Sequence, residues 1–143
     1  MKIALCAIIL ILGLLLAGCQ RTPAEQQIRA AIAAAAQATE TTTAGAFADV
    51  LSEDFDGNQG AFDRKQLANL LRMAHLRGEK VRVVLGPVTL EARGARYVAR
   101  FTATLGGGGK LLPERLGVYR VETAWREEDG DWRCYSATWT RNL

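Results

Sequence analysis

The amino-acid sequence predicts an α+β domain in which N-terminal helices pack on one face of a curved antiparallel sheet. Up to about residue 78 apolar residues recur at helical spacing, and beyond it they alternate with polar residues as in strands. The dipeptide Asp129-Gly130 lies between the last two alternating segments and is typical of two-residue hairpin turns. Helices that come first, followed by hairpin-linked strands, indicate α+β rather than alternating α/β architecture.

A hydrophobic leader precedes this domain. Lys2 is the only charged residue before Arg21, and residues 3–16 are nearly all Ile, Leu or Ala. A positive start, a short apolar core and small residues before a cleavage point are typical of a secretion signal, here residues 1–18. The apolar run is also shorter than the roughly 20 residues that a membrane-spanning helix prefers.

The sequence Leu-Ala-Gly-Cys at residues 16–19 resembles the lipobox of bacterial lipoproteins. The resemblance implies cleavage between Gly18 and Cys19, a diacylglycerol on the Cys19 thiol and an acyl chain such as palmitate on its new amine. Several acyl chains give durable anchoring, because each buried CH₂ contributes about 0.8 kcal/mol. Gln20, where Asp would favour the inner membrane, implies the outer membrane facing the periplasm. An ordinary secretory signal with a chance cysteine is the alternative.

The mature chain is expected to form one domain that binds no nucleic acid. Residues 19–23 form a lipidated tether, and residues 24–143 are long enough for a single domain with a hydrophobic core. The whole chain has a net charge of +3, and loss of the leader removes only Lys2. So small an excess of basic residues does not predict a nucleic-acid partner.

The three cysteines predict no intramolecular disulfide. Cys6 leaves with the leader and Cys19 carries the lipid, so Cys134 stands alone in an oxidising compartment. A catalytic thiol needs a neighbouring base, and His75 is the single histidine of the chain. We therefore interpret Cys134 as buried and inert, and His75 as a capping or surface residue.

Two helices are predicted before residue 60. Residues 24–39 are rich in Ala, Gln and Glu, and Ile28 and Ile32 stand four apart on one face. An alanine-rich linker is the alternative for this stretch. A second, short helix runs into residues 52–55, and residues 56–60 have the composition of a turn.

A third helix is predicted to begin at Asp63. Gln66 follows three residues later, which is the spacing of a capping box. Gly78 is expected to end this helix. Its predicted apolar face comprises Leu67, Leu70, Leu71 and Ala74.

Strands are predicted for the rest of the chain. Gly94 is expected to turn the first pair, and Pro87 indicates a bulge or an edge position in the first strand. A longer glycine-rich connection follows the second strand. The four predicted strands are residues 81–91, 95–105, 116–128 and 131–141.

The order of these elements resembles the nuclear transport factor 2-like superfamily, which includes ketosteroid isomerase and the SnoaL-like cyclases. Three helices lead, Asp54-Phe55 follows the second, and the final hairpin at residues 128–133 has an acidic-glycine turn followed by Trp132. The likeness covers about residues 24–142. It implies a cystatin-like cone of helices and curled sheet around a pocket, in a fold shared by enzymes and by proteins that only bind.

Alternation places one set of strand residues toward the helices and a second set on the opposite face. A pocket enzyme would need carboxylates or a histidine in the first set, with a shifted pKa. The acids of this chain instead fall mostly in turns and at helix ends. The predicted inner set is Val81, Val83, Leu85, Tyr97, Ala99, Phe101, Tyr119, Val121, Trp125, Trp132 and Cys134.

No metal or cofactor site is predicted. Asp54, Asp56 and Asn58 alternate as in a calcium loop, but Lys65 occupies the position where that loop needs a bidentate Glu. Residues 106–110 do not form a phosphate loop, because the flanking residues that such a loop requires are missing.

The opposite sheet face is the predicted contact surface for a protein partner. Arginine mixed with Tyr and Trp is the composition of interface anchors, although a solvated face covered by arginine stems is the alternative. A β-bulge would reverse part of this assignment. The candidate partner-binding residues are Arg82, Arg100, Arg120, Arg133, Tyr135 and Trp139, together with Arg96, Glu122, Arg126 and Arg141 on the same face.

Three functions follow from these observations. The first is a non-catalytic lipoprotein that binds a protein partner, in an accessory or immunity role, or forms a homodimer through the sheet. The second is a small-molecule binder that uses the cone, which an empty pocket would favour. The third is an enzyme of the lyase or isomerase type, which requires a carboxylate or histidine facing that pocket.

Overall fold

The computed structural model describes residues 23–107 and 117–142. Two helices come first within them, α1 (Ala24–Glu40) and α2 (Ala44–Asp49), and a third helix, α3 (Arg64–Leu76), follows after two short strands. The predicted first helix is confirmed nearly to the residue, and Ile28 and Ile32 are its two buried isoleucines. None of these described helices combines the length and the apolar character that crossing a membrane requires.

The beginning and end of α3 are those that the sequence predicts. The Asp63 carboxylate accepts a hydrogen bond from the Gln66 backbone N–H at 2.7 Å, and the Gln66 side chain accepts one from the Asp63 N–H at 2.7 Å. This capping box is therefore confirmed. Gly78 follows the helix with a φ of +65°, a conformation that favours glycine.

The strands form one mixed sheet that the helices cover on one side. Its order is β2-β1-β7-β6-β5-β3, and β4 pairs with the remaining part of β5. The predicted hairpins are present, with Asp129 and Gly130 both at positive φ in the last turn. The strands are β1 (Leu51–Gly57), β2 (Phe62–Asp63), β3 (Val81–Leu85), β4 (Thr89–Arg93), β5 (Arg96–Gly107), β6 (Gly117–Glu128) and β7 (Asp131–Arg141).

The prediction that residues 52–55 only end the second helix is wrong. They belong to β1, which pairs in parallel with β7, so the sheet is mixed rather than wholly antiparallel. The turn lies at residues 58–61, where Asn58 donates its backbone N–H to Ala137 at 2.9 Å. The sequence pattern does not predict β1 as a strand, because its polar and acidic residues are typical of a loop.

Pro87 interrupts the edge of the sheet, as predicted. Leu85 pairs with Ala103, but Thr89 pairs with Arg100, so one extra residue lies between β3 and β4. An edge strand with a bulge accommodates a proline, which has no N–H to donate to the ladder.

A second bulge lies at Tyr135 in β7. Cys134 pairs with Trp125, whereas Ser136 pairs with Ala124, so Tyr135 has no partner of its own on β6. One inserted residue reverses the alternation that follows it. From this point to the end of β7, the odd-numbered residues take the face that the even-numbered ones held before.

We call the helix-covered side of the sheet the inner face and the opposite side the outer face. The core lies between the inner face and the helices, and Ile28, Ala99 and Trp125 are almost fully buried in it. The predicted inner positions Ala99, Trp125 and Cys134 are confirmed as buried. The buried residues of the hydrophobic core also include Ile32, Leu51, Phe55 and Ala137.

Candidate functional site

The inner face and the helices line a partly open apolar cavity of about 260 Å³. Helix α1 contributes Ile32 and Ala36, and α3 contributes Leu67. The alanines of α1 leave room there, because their side chains end at the β-carbon. The sheet side is formed by Val83, Leu85, Phe101, Ala103, Leu105, Val121, Trp125 and Trp139.

Three polar side chains line this cavity, and each is already hydrogen-bonded within the chain. The Thr39 hydroxyl donates to the Ala35 carbonyl at 2.9 Å. Thr123 accepts from the Trp125 indole N–H at 2.7 Å and donates to the carbonyl of Ala99 at 3.3 Å. A ligand therefore needs no polar group to satisfy them.

Cys134 is the third polar group of the lining. Its thiol donates to the Ser136 carbonyl at 3.3 Å, and the residue is 3 % exposed. Burial raises the pKa of this thiol to about 12. A thiol held in its neutral form is a poor nucleophile, so its surroundings give Cys134 the inert character that we expected.

No carboxylate or imidazole belongs to the described lining of the cavity. Proton transfer to a bound molecule needs such a group within hydrogen-bond reach. His75 lies elsewhere, at the exposed end of α3, where its Nδ1 is 3.1 Å from the Thr42 hydroxyl. The arrangement can exclude water and hold an apolar molecule, and its lining offers no acid or base for the isomerase-type chemistry.

The prediction that Trp139 lies on the outer face is wrong. The bulge at Tyr135 turns Trp139 inward, where its indole lines the cavity and packs 5.5 Å from the ring of Phe62. A β-carbon built on Gly57 would meet the Trp139 Cη2 atom at 3.0 Å, so the indole lies directly over this glycine. Arg141 follows the same reversed register.

The outer face carries most of the other arginines that the sequence places there. Arg100 donates from Nε to Glu122 at 2.8 Å and from Nη1 to Glu91 at 3.0 Å. Hydrogen bonds from Arg100 and Arg93 hold the pKa of the Glu91 carboxyl below its usual range. Arg82 and Arg120 are exposed on this face, and neither takes part in the ion pairs found among the described residues.

Tyr135 also lies on the outer face, at the bulge. Its ring is flanked by two guanidinium groups, with Arg96 Cζ at 4.9 Å and Arg126 Cζ at 5.2 Å from the ring centroid. Arg126 further donates to Asp54 at 2.5 Å and to Glu128 at 2.8 Å. The Tyr135 ring is therefore held in place by contacts within the chain.

A polar cluster continues from this point toward the start of β1. The buried Ser52 hydroxyl donates to Glu128, and this bond is the main reason that the pKa of the Glu128 carboxyl lies below its usual value. Arg126 has the corresponding effect on the pKa of Asp54. Arg133 donates to the Asp49 carbonyl at 2.6 Å, so this predicted partner-binding arginine already joins β7 to the end of α2.

The residues of the rejected calcium motif have structural roles. Asp56 accepts from the Gly60 N–H at 2.6 Å, and the Asn58 side chain accepts from the Trp139 N–H at 2.8 Å. Within residues 23–107 and 117–142, no group of three or more His, Cys, Asp or Glu side chains is arranged to hold a metal ion. The predicted signal, with Gly18 and Cys19, lies outside the described residues.

No known family profile matches the sequence, and no curated protein matches it. Solved structures do match. A nuclear transport factor 2-like protein from Cytophaga hutchinsonii has a TM-score of 0.70 at 14 % identity, covering 84 % of this chain and 99 % of that one. One with a cystatin-like fold from Novosphingobium aromaticivorans has a TM-score of 0.67 at 19 % identity, covering 82 % and 81 %.

A third similar structure is a candidate dehydratase of the nuclear transport factor 2-like family from Streptomyces avermitilis. Its TM-score is 0.67 at 14 % identity, and the match covers 82 % of this chain and 95 % of that chain. These three likenesses confirm the cone fold that the sequence resemblance implied. At such identities they show the fold alone, so the function has to be argued from the residues of this chain.

Proposed function

We propose that this protein is a lipid-anchored envelope protein whose cone binds a small apolar molecule. The observation that carries the proposal is the cavity of about 260 Å³ with an almost wholly apolar lining. A natural core is packed to nearly the density of an organic crystal and leaves few voids larger than a water molecule. An empty space of this size costs stability, and a ligand that fills it would restore the lost contacts.

The dimensions and chemistry of the cavity define the class of ligand. Dry apolar cavities of roughly 150 Å³ accept benzene, and drug-sized ligands use pockets of roughly 300 to 1,000 Å³. A cavity between these limits suits a molecule of one or two rings or a short branched chain. Because Thr39, Thr123 and Cys134 are already hydrogen-bonded, we expect a ligand without an obligatory polar group.

The proposed anchor is consistent with such a ligand. Apolar molecules concentrate in membranes, and acyl chains on Cys19 would hold the domain beside that reservoir. Anchoring is tested by feeding cells an alkyne analogue of palmitate and comparing the native chain with Cys19→Ala. We expect label on the native chain and none on the variant, while equal labelling would contradict acylation at Cys19.

Ligand binding is tested with iodobenzene, whose heavy atom quenches tryptophan fluorescence on contact. Trp125 and Trp139 both line the cavity, so saturable quenching is expected. Ala36→Leu extends a side chain into this space and should weaken binding by about tenfold or more. Ala33→Leu makes the same change on the exposed side of α1 and should leave binding unaltered. Equal binding by the two variants would contradict the proposal.

Binding of a protein partner by the outer face is the second candidate function. It is favoured by Arg82 and Arg120, which are exposed there and form no ion pair with the described acids. An acidic protein surface would complement them. The test is a pull-down from membrane extract with Arg82→Ala/Arg120→Ala beside the native protein. A partner retained by this variant would argue against the outer face, and dimerisation through the sheet would be seen by light scattering.

A further inference from the structure

Helix α3 presents a row of exposed apolar side chains to solvent. Leu70 is 51 % exposed, Met73 47 % and Leu76 78 %, and these three recur every third residue along the helix. The predicted apolar face of this helix is therefore only partly buried, because Leu67 packs against the core whereas Leu70 is largely exposed. A contiguous apolar surface of this kind usually marks a contact with a partner or a membrane.

The charges within helix α3 itself all have one sign, and the nearest following acid, Glu79, lies beyond the helix, where it pairs with Arg77 at 3.8 Å. Between Arg64 and Gly78 the chain contains four basic residues, a histidine and no acid. With about 100° per residue, Lys65 and Arg72 fall along one side of the apolar row, and Arg77 lies at its C-terminal end. All three of these basic residues are exposed. A basic amphipathic helix is typical of proteins that bind a membrane surface.

Helix α3 and helix α1, which follows the proposed anchor, belong to the same layer of the molecule. Ile32 of α1 and Leu67 of α3 line the same cavity, so both helices cover the inner face of the sheet. The chain enters this helical layer at Ala24, five residues after Cys19. Five residues span at most about 18 Å. Acyl chains on Cys19 would therefore keep the start of α1 near the lipid headgroups. The end of α3 lies beside the other end of this 17-residue helix, where His75 contacts Thr42, so α3 reaches the headgroups when the helical layer lies flat on the membrane.

We propose that the exposed face of α3 docks on the anionic phospholipid surface of the membrane that carries the anchor. Leu70, Met73 and Leu76 enter the headgroup boundary, and Lys65, Arg72 and Arg77 contact the phosphates. The proposal rests on the anchoring part of the proposed function and does not depend on ligand binding in the cone. Its consequence is a fixed orientation, with the helical layer toward the membrane and the outer sheet face directed away from it.

A second copy of the chain is a poorer occupant of this surface. Pairing two such faces about a symmetry axis would bring the same basic residues of both copies together, with no acid of α3 to neutralise them. Like charges in close contact are destabilising, and an anionic lipid surface removes that repulsion. The charge pattern therefore selects a membrane rather than a dimer.

The test uses the unlipidated chain from Gln20 to Leu143, which contains every described helix and strand. Its binding to vesicles of phosphatidylglycerol and phosphatidylcholine is compared with its binding to phosphatidylcholine alone. The apolar variant is Leu70→Ser/Met73→Ser/Leu76→Ser, and the charge variant is Arg72→Gln/Arg77→Gln. Val84→Ser is the matched control, because Val84 is 57 % exposed on the outer face. Thermal unfolding verifies that each variant is folded.

We expect the native chain to bind the anionic vesicles and to bind the neutral ones far more weakly. The charge variant should lose about twenty-five-fold in affinity for anionic vesicles, since each of its two arginines near the surface contributes about fivefold. The apolar variant should lose about tenfold, and Val84→Ser should lose nothing. Native-like binding by a folded apolar variant would overturn the proposal, and so would equal binding to both vesicle types or a dimer that the apolar variant abolishes. Iodobenzene binding remains unchanged in both α3 variants if the two proposals are independent.

Discussion

Replacement of Ala103 by leucine tests directly whether the cone is empty. Ala103 lies on the cavity side of β5, between Leu85 of β3 and Tyr119 of β6. The substitution adds three carbons, worth about 2.4 kcal/mol at about 0.8 kcal/mol per buried CH₂. Ordering the leucine side chain costs about 0.5 to 1 kcal/mol. The free energy of unfolding should therefore rise by about 1 to 2 kcal/mol.

Urea unfolding followed by circular dichroism measures this change, and Thr104→Leu on the exposed outer face is the control. We expect the control to stay within about 0.5 kcal/mol of the native protein. In a filled core the same leucine would be overpacked and would cost about 1 to 3 kcal/mol. A lower free energy of unfolding for Ala103→Leu would thus refute the presence of usable space. A higher free energy of unfolding for Ala103→Leu, together with weaker binding of iodobenzene by the same variant, would identify the space as a ligand cavity.

Three further predictions concern the surroundings of the cavity and the outer face. Because burial raises the pKa of the Cys134 thiol to about 12, the native protein should react with iodoacetamide near pH 8 about a thousandfold more slowly than the urea-unfolded chain; comparable rates would contradict this burial. Gly57→Ala should lower the free energy of unfolding by about 1 to 3 kcal/mol, because the new methyl group meets Trp139, whereas Gly45→Ala has open space and should not destabilise. Arg126 lowers the pKa values of Asp54 and Glu128, so its stabilising contribution is present above their unfolded pKa values and is lost as the pH falls through the folded ones. The Tm difference between the native protein and Arg126→Gln should accordingly shrink from about pH 6 to pH 3, and a constant difference would refute the coupling.

The sequence predicted the elements whose signals are local. The capping box at Asp63 and the Asp129-Gly130 turn depend on neighbouring residues, and both are present as predicted. Strand β1 was missed because its pairing with β7 is long-range, and its acids Asp54 and Asp56 are satisfied by distant or turn partners. The alternation of apolar and polar residues therefore does not identify β1 as a strand, because acidic side chains that form hydrogen bonds with other parts of the fold interrupt it.

The bulge at Tyr135 explains why the outer face was only partly predicted. Before the bulge, strict alternation assigns Arg133 and Tyr135 correctly to the outer face. Beyond it, the same rule placed Trp139 on the wrong side, because one inserted residue exchanges the two faces of the strand. The inverted position has a functional consequence, since the indole that was expected to meet a partner instead forms part of the cavity wall.

The cavity itself depends on residues that no sequence pattern singles out. Ala36 and Ala103 matter for the volume that their short side chains leave open, and no motif marks such positions. Leu70 illustrates a different problem, because helical periodicity places it on the same apolar face as the buried Leu67 and does not show that it is exposed. Its exposure beside Met73 and Leu76 became apparent only when the helix was placed against the sheet.

The most direct test of ligand binding in the cone is a crystal structure of the mature domain with iodobenzene. The iodine gives an anomalous signal that locates the molecule without reference to a binding curve. We predict one strong peak inside the cavity, within contact of Leu67, Phe101 and Trp125. Side chains that close the cavity, or an iodine position confined to the outer face, would contradict the account.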